Sequence, residues 1–417
     1  MAGYSAPRGF PGDLILRIVL FISACLFWLN AEAAGPVEIA TIERSAWPEQ
    51  FTSPVLFDVA SRAEILAFAH ALLASESQGE AAIKARLDLR KINMVSLNLI
   101  RKRLWSRLLE NYQFAQKSCE QDASFCVLVE DMPTLREQAA KFEVASDSYY
   151  ATWAQPSQAF HETYLTELLH EAALFPLTSS EIERYNSAEL TGDEMPDRSF
   201  LLSFDSGPTV ADGTTDWLTD FLRQRKLNAT FFVLGKTLQT RESKSSAAAL
   251  QALYKQQCVG TQGWEYRSHA QWLDWQNSVQ RSTVLLQQLL PDNYVPLFRP
   301  PYGQRRADSA EFFRDQGMKV SLWNIDSQDW SRTITGDQAG QRVLTLMLLW
   351  RRGIVVFHDI HNKVETALPW LLTNTVQSGV EWQDCHGYPQ ISAKAPEHKE
   401  MHAFEGGGDG EFIRQNE

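Results

Sequence analysis

The chain has 417 residues, 44% apolar and 22% charged, the composition of an ordinary globular protein with room for two or three domains. That excludes collagen, long coiled coil and wholesale disorder. The 39 Lys and Arg residues against 51 Asp and Glu leave a net charge of −12, which argues against sequence-independent nucleic-acid binding, where cations must neutralise phosphates. The 13 Trp residues can fill a core, and their flat faces also suit sugar rings.

Residues 1–33 read as an export signal. Arg8 and Arg17 make a basic start, residues 18–29 form an apolar run, and Ala31-Glu32-Ala33 fits a small-x-small cleavage site. The run is short for a membrane span, which needs about 20 apolar residues. The expected mature chain begins near Ala34, is periplasmic or secreted, and has no membrane association beyond the signal peptide. Two other readings stay open, a lipoprotein box at Ile22-Ser23-Ala24-Cys25 and an uncleaved anchor. Four cysteines remain in the mature chain: Cys119, Cys126, Cys258 and Cys385. In an oxidising compartment the first two could close a small loop, and the last two could pair if the fold joins them. Four buried free thiols are the alternative.

Residues 34–190 read as mainly helical. Ser61-Arg62-Ala63-Glu64 looks like a capping box ahead of an apolar run. Helical spacing continues over residues 81–116 and 158–173. His70, His161 and His170 are isolated and are expected to be structural. Lys84, Arg86, Arg90, Lys91, Arg101, Lys102, Arg103 and Arg107 cluster with one acid, Asp88. They form either a solvated helix face or a patch for an anionic glycan or lipid phosphate. Residues 188–198 are polar, contain Gly and Pro, and read as a linker.

From residue 199 onward strands and helices alternate. Strands are expected at 199–204, 229–234, 296–298, 319–325 and 354–357. Helices are expected at 216–226, 277–290, 308–316, 338–352 and 364–377. Repeated strand–helix units imply a parallel sheet covered by helices. After Cys385 the periodicity ends, so residues 387–417 read as a flexible tail. His398 and His402 have metal-like spacing there but no third ligand, and are set aside.

Chemistry-bearing residues gather just after the strands: Asp205, Glu265 with His269, Arg299, Asp326 with Asp329, and His358. In a βα barrel, side chains at strand C-termini meet at one mouth. A carboxylate, an imidazole, an Arg and a metal pair at such a mouth suit metal-assisted hydrolysis.

In their order and spacing these residues resemble the polysaccharide deacetylases with a nodulation-protein-B homology domain, carbohydrate esterase family 4, over residues 198–386. The resemblance implies a distorted (β/α) barrel after the helical region. It also implies removal of N-acetyl groups from an acetylated polysaccharide or cell-wall glycan, with a divalent metal such as zinc as cofactor. The family's first motif, Thr-Phe-Asp-Asp-Gly-Pro, makes Asp205 the base and puts Ser206 where a metal ligand is expected. The second, His-(Ser/Thr)-x-x-His, is laid on Glu265 and His269 as ligands. The third makes Arg299 the residue that orients the base and gives Tyr302 an oxyanion-hole N–H. The fourth gives Asp329 as tuner of the acid and Trp330 as a pocket wall. The fifth gives Val356 as a substrate contact and His358 as the acid. Two of the three ligands depart from the family. The alternatives are a site rebuilt on Ser206, Glu265 and His269, or an empty site in which Glu265 pairs with a cation. The second of these gives a carbohydrate-binding module that kept the cleft and lost the metal.

Overall fold

In the computed structural model, residues 38–174, 184–186 and 188–388 are described. The export signal, with its lipoprotein and anchor alternatives, lies outside them, as do His398 and His402. The strands are β1 Glu189–Leu190, β2 Ser199–Asp205, β3 Thr230–Val233, β4 Cys258–Thr261, β5 Tyr294–Phe298, β6 Lys319–Ser321, β7 Ile325–Asp326, β8 Gly353–His358 and β9 Glu381–Trp382. They form one sheet in the order β1-β6-β5-β4-β3-β2-β8-β7, with β9 paired to β2. Every pairing is parallel. This is the curled, open sheet of a distorted (β/α) barrel, as expected from the alternation of elements. The edge of β2 is shared: β9 pairs with Ser199 and Phe200, and β3 takes over from Ser203 to Asp205.

A parallel sheet covered on both faces needs continuous apolar strands. β2 is buried along its whole length, as is β3. The covering helices in this half are α6 Thr214–Gln224, α7 Gly235–Ser243, α8 Ala247–Leu253, α9 Trp275–Leu289, α10 Ala310–Asp315, α11 Gly336–Trp350 and α12 Val364–Thr375.

Among the described residues five α-helices precede the sheet: α1 Pro54–Glu76, α2 Glu80–Leu87, α3 Met94–Ala115, α4 Met132–Lys141 and α5 Ala151–Leu174. The expected capping box at Ser61 is not a helix start. The helix begins eight residues earlier on a Ser53 cap, and Ser61 Oγ instead donates to the Leu348 carbonyl at 2.7 Å. The run over 81–116 is two helices, broken where Asp88 adopts a left-handed conformation with φ 52°.

Of these helices α1, α3 and α5 pack on α11, which is buried from Ala339 to Trp350. One apolar core runs through both halves of the chain, and both belong to a single compact unit. Buried ion pairs cross the seam. Arg342 meets Glu167 at 2.7 Å, and Arg351 meets Asp58 at 2.8 Å. The segment read as a linker is part of the fold. It supplies β1, and Glu189 pairs with buried Arg305 at 2.6 Å. Several members of the basic cluster are held internally. Arg86 donates to Thr166, Arg101 to the Ser75 carbonyl, and Arg107 pairs with Asp193.

Disulfides join Cys119 to Cys126 and Cys258 to Cys385. The second ties the start of β4 to the segment after β9, and Tyr388 beyond it is fully buried. The fold therefore reaches at least to residue 388. Among the described residues, no helix is long and apolar enough to cross a membrane.

Candidate active site

Asp205 ends β2 and His358 ends β8, and the two are register partners on adjacent strands. Neighbouring residues in register point to the same side of a sheet, so a carboxylate and an imidazole stand side by side at the strand C-termini.

Each is gripped by a second charged group. Asp205 Oδ1 accepts from Arg299 Nη1 at 2.8 Å, and its Oδ2 accepts from Gln262 Nε2 at 3.0 Å. Arg299 is fully buried. It also donates to Ser203 Oγ and to the carbonyls of Ser321 and Leu322, so its fork is fixed before any ligand arrives. Burial pushes the Asp205 carboxyl up, against the opposing pull of Arg299 and His358.

His358 Nδ1 donates to Asp329 Oδ1 at 2.8 Å, and its backbone N–H donates to Asp329 Oδ2 at 2.9 Å. Burial alone would lower this imidazole. Asp329, with Asp205 and Asp326 behind it, wins and raises it to about 9. His358 is therefore an imidazolium at neutral pH, with Nε2–H as its second donor. Asp326 ends β7, where its Oδ1 accepts from the Gln328 N–H at 2.7 Å and burial raises its carboxyl. Asp359, next to His358, is also buried and is raised to about 7, chiefly by desolvation. Its Oδ2 accepts from Thr215 and occupies the space that a Cβ at Gly207 would need.

The expected substrate contacts divide by depth. Tyr302 and Trp330 are exposed at the rim. Val356 is buried two residues below His358 on the same face, within the inner apolar cluster, so it floors the cleft.

The residues expected as metal ligands are not brought together. Glu265 pairs with Lys236 at 3.0 Å. His269 is buried, with Nδ1 donating to the Arg267 carbonyl at 2.8 Å and Nε2 accepting from Ser278 Oγ at 3.0 Å. Burial lowers it to about 4, so it stays neutral. It packs against Gly263 so closely that a Cβ there would lie 2.5 Å from Nε2. Ser206, at φ 80°, donates its hydroxyl to Gln262 Oε1 at 3.1 Å.

The groups actually beside Asp205 are Gln262 and Tyr266. Gln262, 1% exposed, links Asp205 to Ser206 through its two amide ends. Tyr266 is 40% exposed, its ring meets that of Tyr302 edge-on with centroids 4.6 Å apart, and desolvation, then the Asp205 carboxylate, raise its phenol. Gln262 and Tyr266 have the same i, i+4 spacing as Glu265 and His269, three residues upstream. A hydroxyl, a primary amide and a phenol are poor partners for a divalent ion, and the Gln262 N–H group faces the carboxylate. The residues present therefore do not fit the metal that the family resemblance implies. Among the described residues, the one cluster of three potential ligands is Cys258, Cys385 and His386, and its two sulfurs are already joined in a disulfide.

Residues 192–321 match the family model for polysaccharide deacetylase. That segment of the chain is similar to the domain of that family. Among curated proteins it is 26% identical over 219 residues to the peptidoglycan-N-acetylglucosamine deacetylase PgdA of Listeria monocytogenes, covering 50% of this chain and 43% of that one. It is 28% identical over 183 residues to chitin deacetylase 1 of Saccharomyces cerevisiae, covering 40% of this chain and 54% of that one. The chain thus spans under half the length of the first relative and about half of the second. Solved structures similar to it include the peptidoglycan deacetylase PdaC of Bacillus subtilis, with TM-score 0.39, 22% identity and coverage of 47% of this chain and 92% of that one. A CE4 family pseudoenzyme of Bacillus anthracis has TM-score 0.41, 19% identity and coverage of 47% and 67%.

Proposed function

We propose that the cleft acts on the N-acetyl group of an acetylated amino-sugar glycan as an exported deacetylase-type hydrolase. The observation that carries this is the side-by-side placement of two preset dyads, Asp205–Arg299 and His358–Asp329, at the ends of paired strands. Asp205 takes a proton from water as the oxygen attacks the acetamido carbonyl. His358 gives its Nε2 proton to the leaving nitrogen, and the C–N bond breaks to acetate and a free amine. Arg299 aims the base, Asp329 keeps the acid charged, and Trp330 and Tyr302 offer aromatic surface at the rim. Curated relatives named for deacetylation of peptidoglycan and chitin support the substrate class. The disulfides and the apolar leader in the sequence support a periplasmic or secreted location.

A second reading, glycan binding without turnover, is favoured by one observation: Ser206, Gln262 and Tyr266 leave nothing to polarise the carbonyl as a metal would. One experiment separates the two. Acetate release from acetylated peptidoglycan and chitin oligomers is measured for the wild type, D205N and H358Q, beside retention on the same glycans. Release by the wild type that both variants abolish supports the hydrolase. Retention with no release by any of the three supports the binding module.

A further inference from the structure

Resting on the reading of this cleft as the glycan site, we propose that the chain works without a divalent ion, and that Gln262 is the positioning residue that takes over the ion's organising role between Asp205 and Ser206.

Three observations converge. First, the amide orientation of Gln262 follows from its neighbours. A carboxylate accepts only, so the end facing Asp205 Oδ2 at 3.0 Å is the NH2 group. Oε1 then faces Ser206 and takes the hydroxyl proton at 3.1 Å. The bridge is complete without a third component. Second, Gln262 follows β4 directly and is 1% exposed. It therefore sits on the rigid end of a strand at the cleft floor. Third, Tyr266, four residues on, is near enough to Asp205 for the carboxylate to raise its phenol, and its ring meets Tyr302 edge-on with centroids 4.6 Å apart. Ser206, Gln262 and Tyr266 thus surround one face of the base with neutral polar groups. An ion placed among them would meet an N–H group aimed at the carboxylate, and the imidazole beside Asp205, His358, is protonated and held by Asp329.

The same geometry says what would recreate an ion site: one carboxylate and two imidazoles at these three positions. The test uses the full mature chain. Zinc content after dialysis, and zinc titration by calorimetry, are measured for the wild type, Q262A and the triple variant S206D/Q262H/Y266H, with circular dichroism to confirm folding. The expected result is substoichiometric zinc in the wild type and about one zinc in the triple variant. Glycan retention by the wild type should be unchanged by a chelator. Q262A should lose glycan affinity, and Q262N should not restore it, because the shorter amide cannot span Asp205 and Ser206. A purely structural role would move only the melting temperature of these variants. The proposal is overturned if the wild type holds stoichiometric zinc that Q262A releases. It is also overturned if a folded triple variant takes up no zinc. If the triple variant does not fold, the wild-type zinc count decides alone. Failure of the glycan reading is separate: it would show as neither acetate release nor glycan retention, whatever the zinc count.

Discussion

His358 is the residue on which the charge state of the cleft turns. Its imidazole is raised to about 9, where burial is outweighed by Asp329 and the acids behind it. The unfolded value is about 6.5. A group raised on folding contributes stability that is fully present below the unfolded value and is lost as pH climbs through the folded one. The contribution is therefore complete below about pH 6.5 and gone above about pH 9, and is on the order of 3 kcal/mol at most. Melting temperature against pH should fall across that window in the wild type and flatten in H358Q. D329N should bring the imidazole back toward its ordinary range, which NMR titration of the ring protons would read directly. It should also shift any pH profile for acetate release to lower pH, since the acid form then disappears earlier.

At the scale of elements, β4 explains which part of the site was legible in the sequence. Asp205 and His358 end strands with a clear apolar signature, Arg299 follows β5, and Asp329 comes after β7, the short second piece of the strand expected at 319–325, which the structure splits into β6 and β7; the structure gathers all four. The strand Cys258–Thr261 is four residues long and includes a glycine, too short and too weakly patterned to stand out. Without it the second motif had no anchor, and Glu265 with His269 took the ligand positions on spacing alone. Had β4 been visible, the first polar residue after it, Gln262, would have been the natural choice. His269 belongs to the wall behind the loop. It is locked by the Arg267 carbonyl and Ser278, whose Oγ also accepts from the Trp264 N–H at 2.8 Å. H269A should leave zinc content unchanged and lower stability by about 1–3 kcal/mol in chemical denaturation, since buried polar partners lose their match. G263A should cost a similar amount, because Gly263 sits at φ 87° with no room for a Cβ.

At the scale of the whole molecule, the helical region reaches the cleft through Arg342. The sequence showed the helices but not what they brace, because such pairings join residues more than a hundred positions apart. Arg342, on α11, is fully buried. Its Nη2 meets Glu167 of α5 at 2.7 Å, its Nη1 donates to the Ala40 carbonyl at 3.0 Å, and its Nε donates to the Asp326 carbonyl at 2.9 Å. Asp326 lies three residues before Asp329, the partner of His358. Removing one member of a buried ion pair leaves the other charge without its counterion and costs about 3–5 kcal/mol. E167A should therefore lower the unfolding free energy by about that amount, read by chemical denaturation, while leaving the residues of the cleft chemically intact. If the helices also hold the mouth in shape, hydrogen exchange should quicken in the segment 325–330 of E167A under conditions where the protein remains folded. E167A is not a conservative deletion of charge alone, so E167Q serves as its companion. E167Q keeps the shape and part of the hydrogen bonding, and should show a smaller loss with the same pattern of exchange. Unchanged protection at 325–330 in both variants, despite the loss of stability, would mean that the helical region supports the core and has no hold on the cleft.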